Sequence, residues 1–213
     1  CTLETAAVLR QSFPIVPLAL AHVGHIQTRN RGTIGGSLSH FDPSAELCNL
    51  AALFDAELVL AAKRGERILS FAEFGLGYLT TAIQPDEMLR EIRLRAWPAD
   101  HGYAFEEFAL RHGDFAVCAV SCVLQLRPAG DIGQVAIAVS GVGTAPVRLR
   151  EAEQALVGQR PGHESYRAAG EIAGRLEAMS DTYVTADYRR HLARILTYRA
   201  LEGAVARTTR KAA

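Results

Sequence analysis

The sequence predicts an α+β fold, and three observations carry that prediction. Two runs in the second half, YAFEEFAL and FAVCAVSCVLQL, read as strands around an RHGD turn, with GQVAIAVSGVG as a third. From residue 148 onward the apolar spacing becomes helical. The first hundred residues instead mix short helical stretches with a hairpin, punctuated by glycine, proline and capping residues. Strands followed by helices imply an antiparallel sheet with helices gathered against it. At 213 residues with 49% hydrophobic content, the chain can build one large domain or two small ones with a proper core.

The elements follow in order. Residues 3–10 predict a short helix capped by Thr2 or Thr5, and residues 15–24 a buried helix ending at Gly24. A glycine-rich loop comes next. Residues 44–54 predict a helix, with Pro43 near its start and Ser44 and Glu46 in its first turn. AELVLAA and RILSF form a hairpin around Arg64-Gly65. Ser70 caps a helix over FAEFGLGYL, with Glu73 three residues on completing a capping box. PDEMLREIRLRAW is a turn leading into a strand. Residues 97–102 (WPADHG) form a breaker cluster and mark a domain boundary, giving units 1–97 and 101–213. Helices are predicted over 148–157, 163–178 and 185–207.

Charge and cysteine usage exclude several functions. Lys+Arg and Asp+Glu are equal at 23 each, so no net field attracts nucleic acid or an anionic membrane. No apolar run is long enough to span a bilayer. Cys1, Cys48, Cys118 and Cys122 match neither a disulfide framework nor a CxxC metal site. Buried free thiols at Cys118 and Cys122 and a reducing, cytoplasmic setting are expected. Seven histidines form no H-E-x-x-H or H-x-x-x-H pattern. His22 and His25 share a helical spacing but have no third ligand, so no metal site is expected.

The segment RNRGTIGGSLSHFDPSAEL (29–47) carries the chemistry. Glycines let backbone N–H groups approach a ligand, and an anion nest ahead of a helix would hold a pyrophosphate. The pattern is neither G-x-G-x-x-G after a strand nor G-x-x-x-x-G-K-[ST]. A tight turn with positive φ at Gly35 or Gly36 explains it equally well. Thr33, Ser37 and Ser39 add hydroxyls, Arg29 and Arg31 add charge, and Asp42 and Glu46 add carboxylates suited to sugar hydroxyls.

HVGHIQTRNRGTIGGSLSHFDPSAEL, GYLTTAIQPDEMLREIRL and FEEFALRHGDFAV, in that order, resemble the FAD-binding medium subunit of molybdenum hydroxylases, the xanthine dehydrogenase and carbon monoxide dehydrogenase group. The resemblance covers essentially the whole chain. It implies that residues 1–97 are the later part of an FAD-binding domain of the vanillyl-alcohol-oxidase (PCMH) type. Residues 101–213 then correspond to the small α+β domain, with antiparallel sheet and helices, that follows it. Thr33, Ile34, Gly35, Gly36 and Ser37 match the second glycine motif, whose amides hold the FAD pyrophosphate; relatives often carry Asn at Ser37. The resemblance further implies an FAD contact at Glu46 and an aliphatic cofactor contact at Leu89. His22 falls where some relatives place an aromatic residue near the flavin, and Arg111–Asp114 match a loop that approaches it. Glu107 stands where several relatives have an FAD-reaching lysine, a role an acid cannot copy.

An electron relay is the implied activity: molybdopterin and two [2Fe–2S] clusters sit on a large and a small partner subunit, and FAD delivers the electrons to an acceptor. The four cysteines match no cluster pattern, so the clusters belong to the partners and the assembly is a hetero-oligomer. The family's first glycine motif, of the A-G-G-x-S-L type, is not found in this sequence, which opens on Cys1. The chain therefore reads as N-terminally truncated. A cofactor-free subunit-interaction module is the alternative, and a stand-alone flavin oxidase is disfavoured by the RNRGTIGG and RHGDFA segments.

Overall fold

The computed structural model describes residues 2–211. Six helices open the chain: α1 (Thr2–Thr5), α2 (Ala7–Ser12), α3 (Ile15–Leu20), α4 (Ile26–Arg31), α5 (Ile34–His40) and α6 (Glu46–Leu53). β1 (Glu57–Ala62) and β2 (Gly65–Ser70) form the expected hairpin, and α7 (Phe71–Phe74) follows. β3 (Gly75–Gly77) and β4 (Thr80–Thr81) make a small ribbon before β5 (Met88–Arg93). The second half holds β6 (Gly102–Phe108), β7 (Cys118–Leu126), β8 (Ile132–Ser140), β9 (Val147–Arg148), α8 (Arg150–Leu156), α9 (His163–Ala173) and α10 (Ala186–Lys211).

Several local expectations need correction. The 3–10 helix is split at Ala6, whose backbone is extended. The Thr2 cap lies outside the described side chains. The 15–24 helix stops at Leu20, and Gly24 with φ 46° closes the turn after it. The helix expected at 44 starts at Glu46, with Ala45 as N-cap and no side-chain cap. FAEFGLGYL is helical for four residues only, although its Ser70–Glu73 capping box forms as expected. The chain leaves that helix at Gly75, where a Cβ would stand 2.0 Å from the Phe41 ring, so only glycine fits.

Every paired strand is antiparallel, in sheets ordered β2-β1-β5, β3-β4 and β6-β7-β8-β9. The four-stranded sheet organises the molecule. Along β7, Cys118, Val120, Cys122 and Leu124 join the core beneath α8, α9 and α10, while Ala119 and Val123 join the core built from the N-terminal helices. Both faces are covered, which is why β7 reads as a nearly unbroken apolar run rather than as an alternation. The residues facing α6 are small: Ala119, Ser121, Ala136 and Ala138. Small side chains let α6 lie close to the strands, and Asn49 on α6 reaches between them to the sheet. Arg148 ties the edge of the sheet to the end of α6, donating to Leu53 O at 2.8 Å and Asp55 Oδ2 at 2.8 Å.

Cys48, Cys118 and Cys122 are free and buried. Burial pushes the Cys48 and Cys118 thiols up to about 12 and Cys122 higher still, so none is a reactive thiolate. Among the described residues no helix is long and apolar enough to cross a membrane.

Candidate functional site

The glycine segment is not the turn that its composition suggests. Neither Gly35 nor Gly36 has positive φ, and both lie in the first turn of α5. Thr33 makes this helix possible. Its extended backbone (φ −125°, ψ 153°) places it at the N-cap, and its Oγ1 accepts the Gly36 N–H at 2.9 Å. Leu38, fully buried, anchors the far side of the helix, and Phe41 closes it in the left-handed region at φ 55°. Asp42 Oδ1 then accepts Ser44 N–H at 2.8 Å, turning the chain into α6 so that Glu46 stands at the first helical position.

Between these two helix starts lies a cleft of about 300 Å³, with Thr33, Ile34, Gly36, Ser37 and Glu46 all in its wall. Leu3, Leu20 and Val23 supply apolar surface from the N-terminal helices, and Phe115 reaches in from the β6–β7 loop. The first N–H groups of a helix have no intrahelical acceptor. Thr33 satisfies that of Gly36, whereas the helix offers none for Ile34 and Gly35. A methyl at Gly35 would meet no atom within 4 Å, although Gly35 itself is not in the cleft wall. The arrangement suits an acceptor oxygen at the helix start and an apolar group alongside.

Glu46 is 5% exposed. Burial is the main force pushing its carboxyl up to about 7; the Glu107 and Asp42 carboxylates push the same way, against its own N–H and His22. Near neutral pH it can therefore donate as well as accept a hydrogen bond. His22 Nδ1 lies 3.6 Å from Glu107 Oε1, which raises its pKa, and its ring packs on Phe105. Arg29 is a strap rather than a free charge: it donates to Val23 O and Gly24 O and pairs with Glu4 at 2.6 Å. Leu89 lies outside the cleft, on β5, packed against the N-terminal core.

The 111–114 loop packs against the start of α4. His112 stacks on His25 at 6.3 Å, and Gly113 has φ 86°, where a Cβ would come within 2.7 Å of the His25 ring. Phe115, which follows this loop, stands in the wall of the cleft. Phe115 was not among the sequence candidates, although its place directly after RHGD is a signal. No group of three or more His, Cys, Asp or Glu residues is placed to hold a metal among the described residues.

Comparison with known proteins gives the family of the chain. Residues 1–97 match the FAD binding domain in molybdopterin dehydrogenase, and residues 103–204 the CO dehydrogenase flavoprotein C-terminal domain. The caffeine dehydrogenase subunit beta of Pseudomonas sp. (strain CBB1) is 36% identical over 210 residues, 97% of this chain and 70% of that one. This chain belongs to the FAD-binding medium-subunit family of the molybdenum hydroxylases. The 6-hydroxypseudooxynicotine dehydrogenase complex subunit alpha of Paenarthrobacter nicotinovorans is 33% identical, over 96% of the medium subunit described here and 70% of that protein. A solved structure of carbon monoxide dehydrogenase from Hydrogenophaga pseudoflava superposes with a TM-score of 0.92 at 31% identity, covering 97% of this chain and 72% of that one. The medium subunit is thus part of an oxidoreductase, and FAD is the cofactor of its family.

Proposed function

We propose that this medium subunit holds FAD at the start of α5 and uses it to pass electrons from the [2Fe–2S] clusters of a small partner subunit to an acceptor. A large molybdopterin subunit would carry out substrate oxidation in the same cytoplasmic hetero-oligomer. The observation that supports this reading is the cleft at α5 and α6, where Thr33, Ile34, Gly36, Ser37 and Glu46 meet around open space. Ile34 and Gly35 N–H groups would donate to the pyrophosphate, with Thr33 fixing the turn that presents them. Gly36 keeps the approach clear of a side chain. Ser37 offers a hydroxyl, and Glu46 would hydrogen-bond a sugar or ribityl hydroxyl. Leu89, behind α5, would set the position of the helix and reach the cofactor only at its margin. FAD, when bound, supplies the redox chemistry; the protein supplies position and a partly dry setting. In this reading residues 1–97 form the cofactor unit and residues 101–213 the covering domain that contributes Phe115.

The test is a visible spectrum of the purified complex and of this polypeptide incubated with FAD. Stoichiometric flavin absorbance retained through gel filtration is expected. Complete failure to take up flavin in both samples would replace the relay with a cofactor-free interaction module.

A further inference from the structure

At the other end of α6 from the cofactor cleft lies a groove that shares no lining residue with that cleft. Glu46 opens α6 in the cofactor cleft, whereas Leu53 closes it in the groove, about 10 Å further on at the rise of a helix. Two hollows of about 500 and 450 Å³ make up the groove, and Asp55, Arg148 and Arg150 belong to the walls of both. The first hollow adds Arg93, Arg95, Trp97 and Gln134. The second adds Phe41, Phe71, Ala72 and Pro146. A charged half thus runs into an apolar half.

The guanidinium groups of the groove differ in how far they are already engaged. Arg148 is engaged throughout: it donates to Leu53 O and Asp55 Oδ2, both at 2.8 Å, and to Glu153. Arg150, whose side chain is 56% exposed, reaches Asp55 Oδ1 at 2.5 Å. Both carboxylate oxygens of Asp55 are therefore occupied, at a residue whose backbone takes the left-handed φ of 47°. Arg93 pairs with Glu91 on its own strand at 2.8 Å. Arg95 is exposed and makes no hydrogen bond or ion pair among the described residues. A guanidinium carries five N–H donors, so Arg93, Arg95 and Arg150 keep donors for a ligand.

Charge and shape together select the ligand. The first hollow is lined by four arginines and two carboxylates, Asp55 and Glu57, while Glu91 and Glu153 stand outside the lining. The surface that a ligand touches is therefore cationic, and carboxylates are the groups that pair with it. A small anion would use the arginines and leave the apolar half empty. A wholly apolar peptide would strip water from Arg95 and Arg150 and give them no partner. An extended acidic segment with apolar side chains at one end fills both halves. Tryptophan and arginine, here Trp97 beside Arg95, are the residue types that most often anchor such contacts.

We infer that this groove receives an extended, acidic peptide segment of a partner chain, its carboxylates on Arg93, Arg95 and Arg150 and its apolar end over Phe71, Ala72 and Pro146. The inference is independent of the FAD reading, since the groove and the cofactor cleft have no lining residue in common. Trp97 makes occupancy directly readable: it is the only tryptophan of the chain, and it stands in the wall.

Titration of the 213-residue chain with the synthetic peptide EDEDLF, followed by Trp97 emission, tests it. A saturable change is expected, with affinity about tenfold weaker in an Arg95→Gln/Arg150→Gln double variant, as the loss of charge-assisted contacts implies. Ala72 is exposed, so Ala72→Glu keeps every arginine in place and adds a carboxylate to the apolar half; it should weaken binding as well. Far-UV circular dichroism checks the fold of each variant. The charge-reversed peptide KRKRLF should leave the emission unchanged, and EDEDGS, without the apolar end, should bind less tightly than EDEDLF. No response to EDEDLF, equal binding of KRKRLF, or an affinity indifferent to both variants would each overturn the groove. Citrate binding as tightly as EDEDLF would make it a small-anion site and overturn the peptide reading.

Discussion

Asn49 Nδ2 lies 2.9 Å from Ser140 Oγ, across the boundary between the N-terminal helices and the four-stranded sheet. Its Oδ1 accepts from Ser121 Oγ, and Nδ2 also approaches Ala119 O at 3.3 Å and Ala138 O at 3.4 Å. All three polar side chains are fully buried. Asn49→Leu would leave two serine hydroxyls dry and unpaired, costing about 1–3 kcal/mol. A fall in Tm of several degrees is expected by calorimetry, at about 2–4 °C per kcal/mol for a chain of this size. Adding Ser121→Ala and Ser140→Ala to Asn49→Leu should recover much of the loss, because removing every partner is cheaper than orphaning some.

Gly36→Val is expected to abolish flavin retention. Its Cβ would start 3.0 Å from Thr33 Oγ1, the atom that caps α5, and its methyls would extend into the cleft. Flavin absorbance after gel filtration measures this, with far-UV circular dichroism confirming the fold. Retention at the wild-type level would remove α5 from the site.

Glu46 gives the medium subunit a pH-dependent cost. Its carboxyl sits at about 7 in the folded chain against 4.5 unperturbed, so the folded state holds a proton that the unfolded state releases. Stability from this group is complete below about pH 4.5 and declines as pH rises through 7. Glu46→Gln should therefore melt above the parent at pH 8 and not at pH 5. At 1.4 kcal/mol per pKa unit the gain has a ceiling of about 3 kcal/mol. Equal shifts at both pH values would contradict the assignment.

Gly102→Ala should be destabilising despite its small size. A Cβ there would stand 2.0 Å from Ala204 O, a backbone atom of α10 that cannot rotate away. Separating β6 from α10 enough to admit it costs about 1–3 kcal/mol. The midpoint of urea unfolding reports it; an unchanged midpoint would mean that α10 can shift freely on the sheet.

The long elements were legible because burial writes a pattern into them. β7 and β8 are apolar throughout since both of their faces are covered, and α10 starts where Thr185 Oγ1 accepts Tyr188 N–H at 3.2 Å. The pieces β3, β4 and β9 are two or three residues long and too short to show any period. α5 was hidden for a different reason. Two glycines cost a helix about 1 kcal/mol each, so propensity argues for a turn, and only the Thr33 cap and the buried Leu38 tip the balance. Of the candidate residues the sequence offers, Thr33, Ile34, Gly36, Ser37 and Glu46 line one cleft, whereas Gly35 is not in its wall and Leu89 packs against the N-terminal core. Phe115 has a single weak signal, its place directly after RHGD, because a loop from the second half of the chain brings it to that cleft.

The sheet that takes helices on both faces also changes what the connection between the halves means. Pro98, Ala99 and Asp100 are exposed and open to a protease. Yet Ala119, Val123, Ala136 and Ala138 belong to the same core as Ile15, Leu38 and Leu53. A chain nicked there would behave as a non-covalent heterodimer, its fragments held by a shared interior rather than by a tether. Parted, each would carry a bare apolar face and precipitate, so the pair defines the smallest unit that can be soluble.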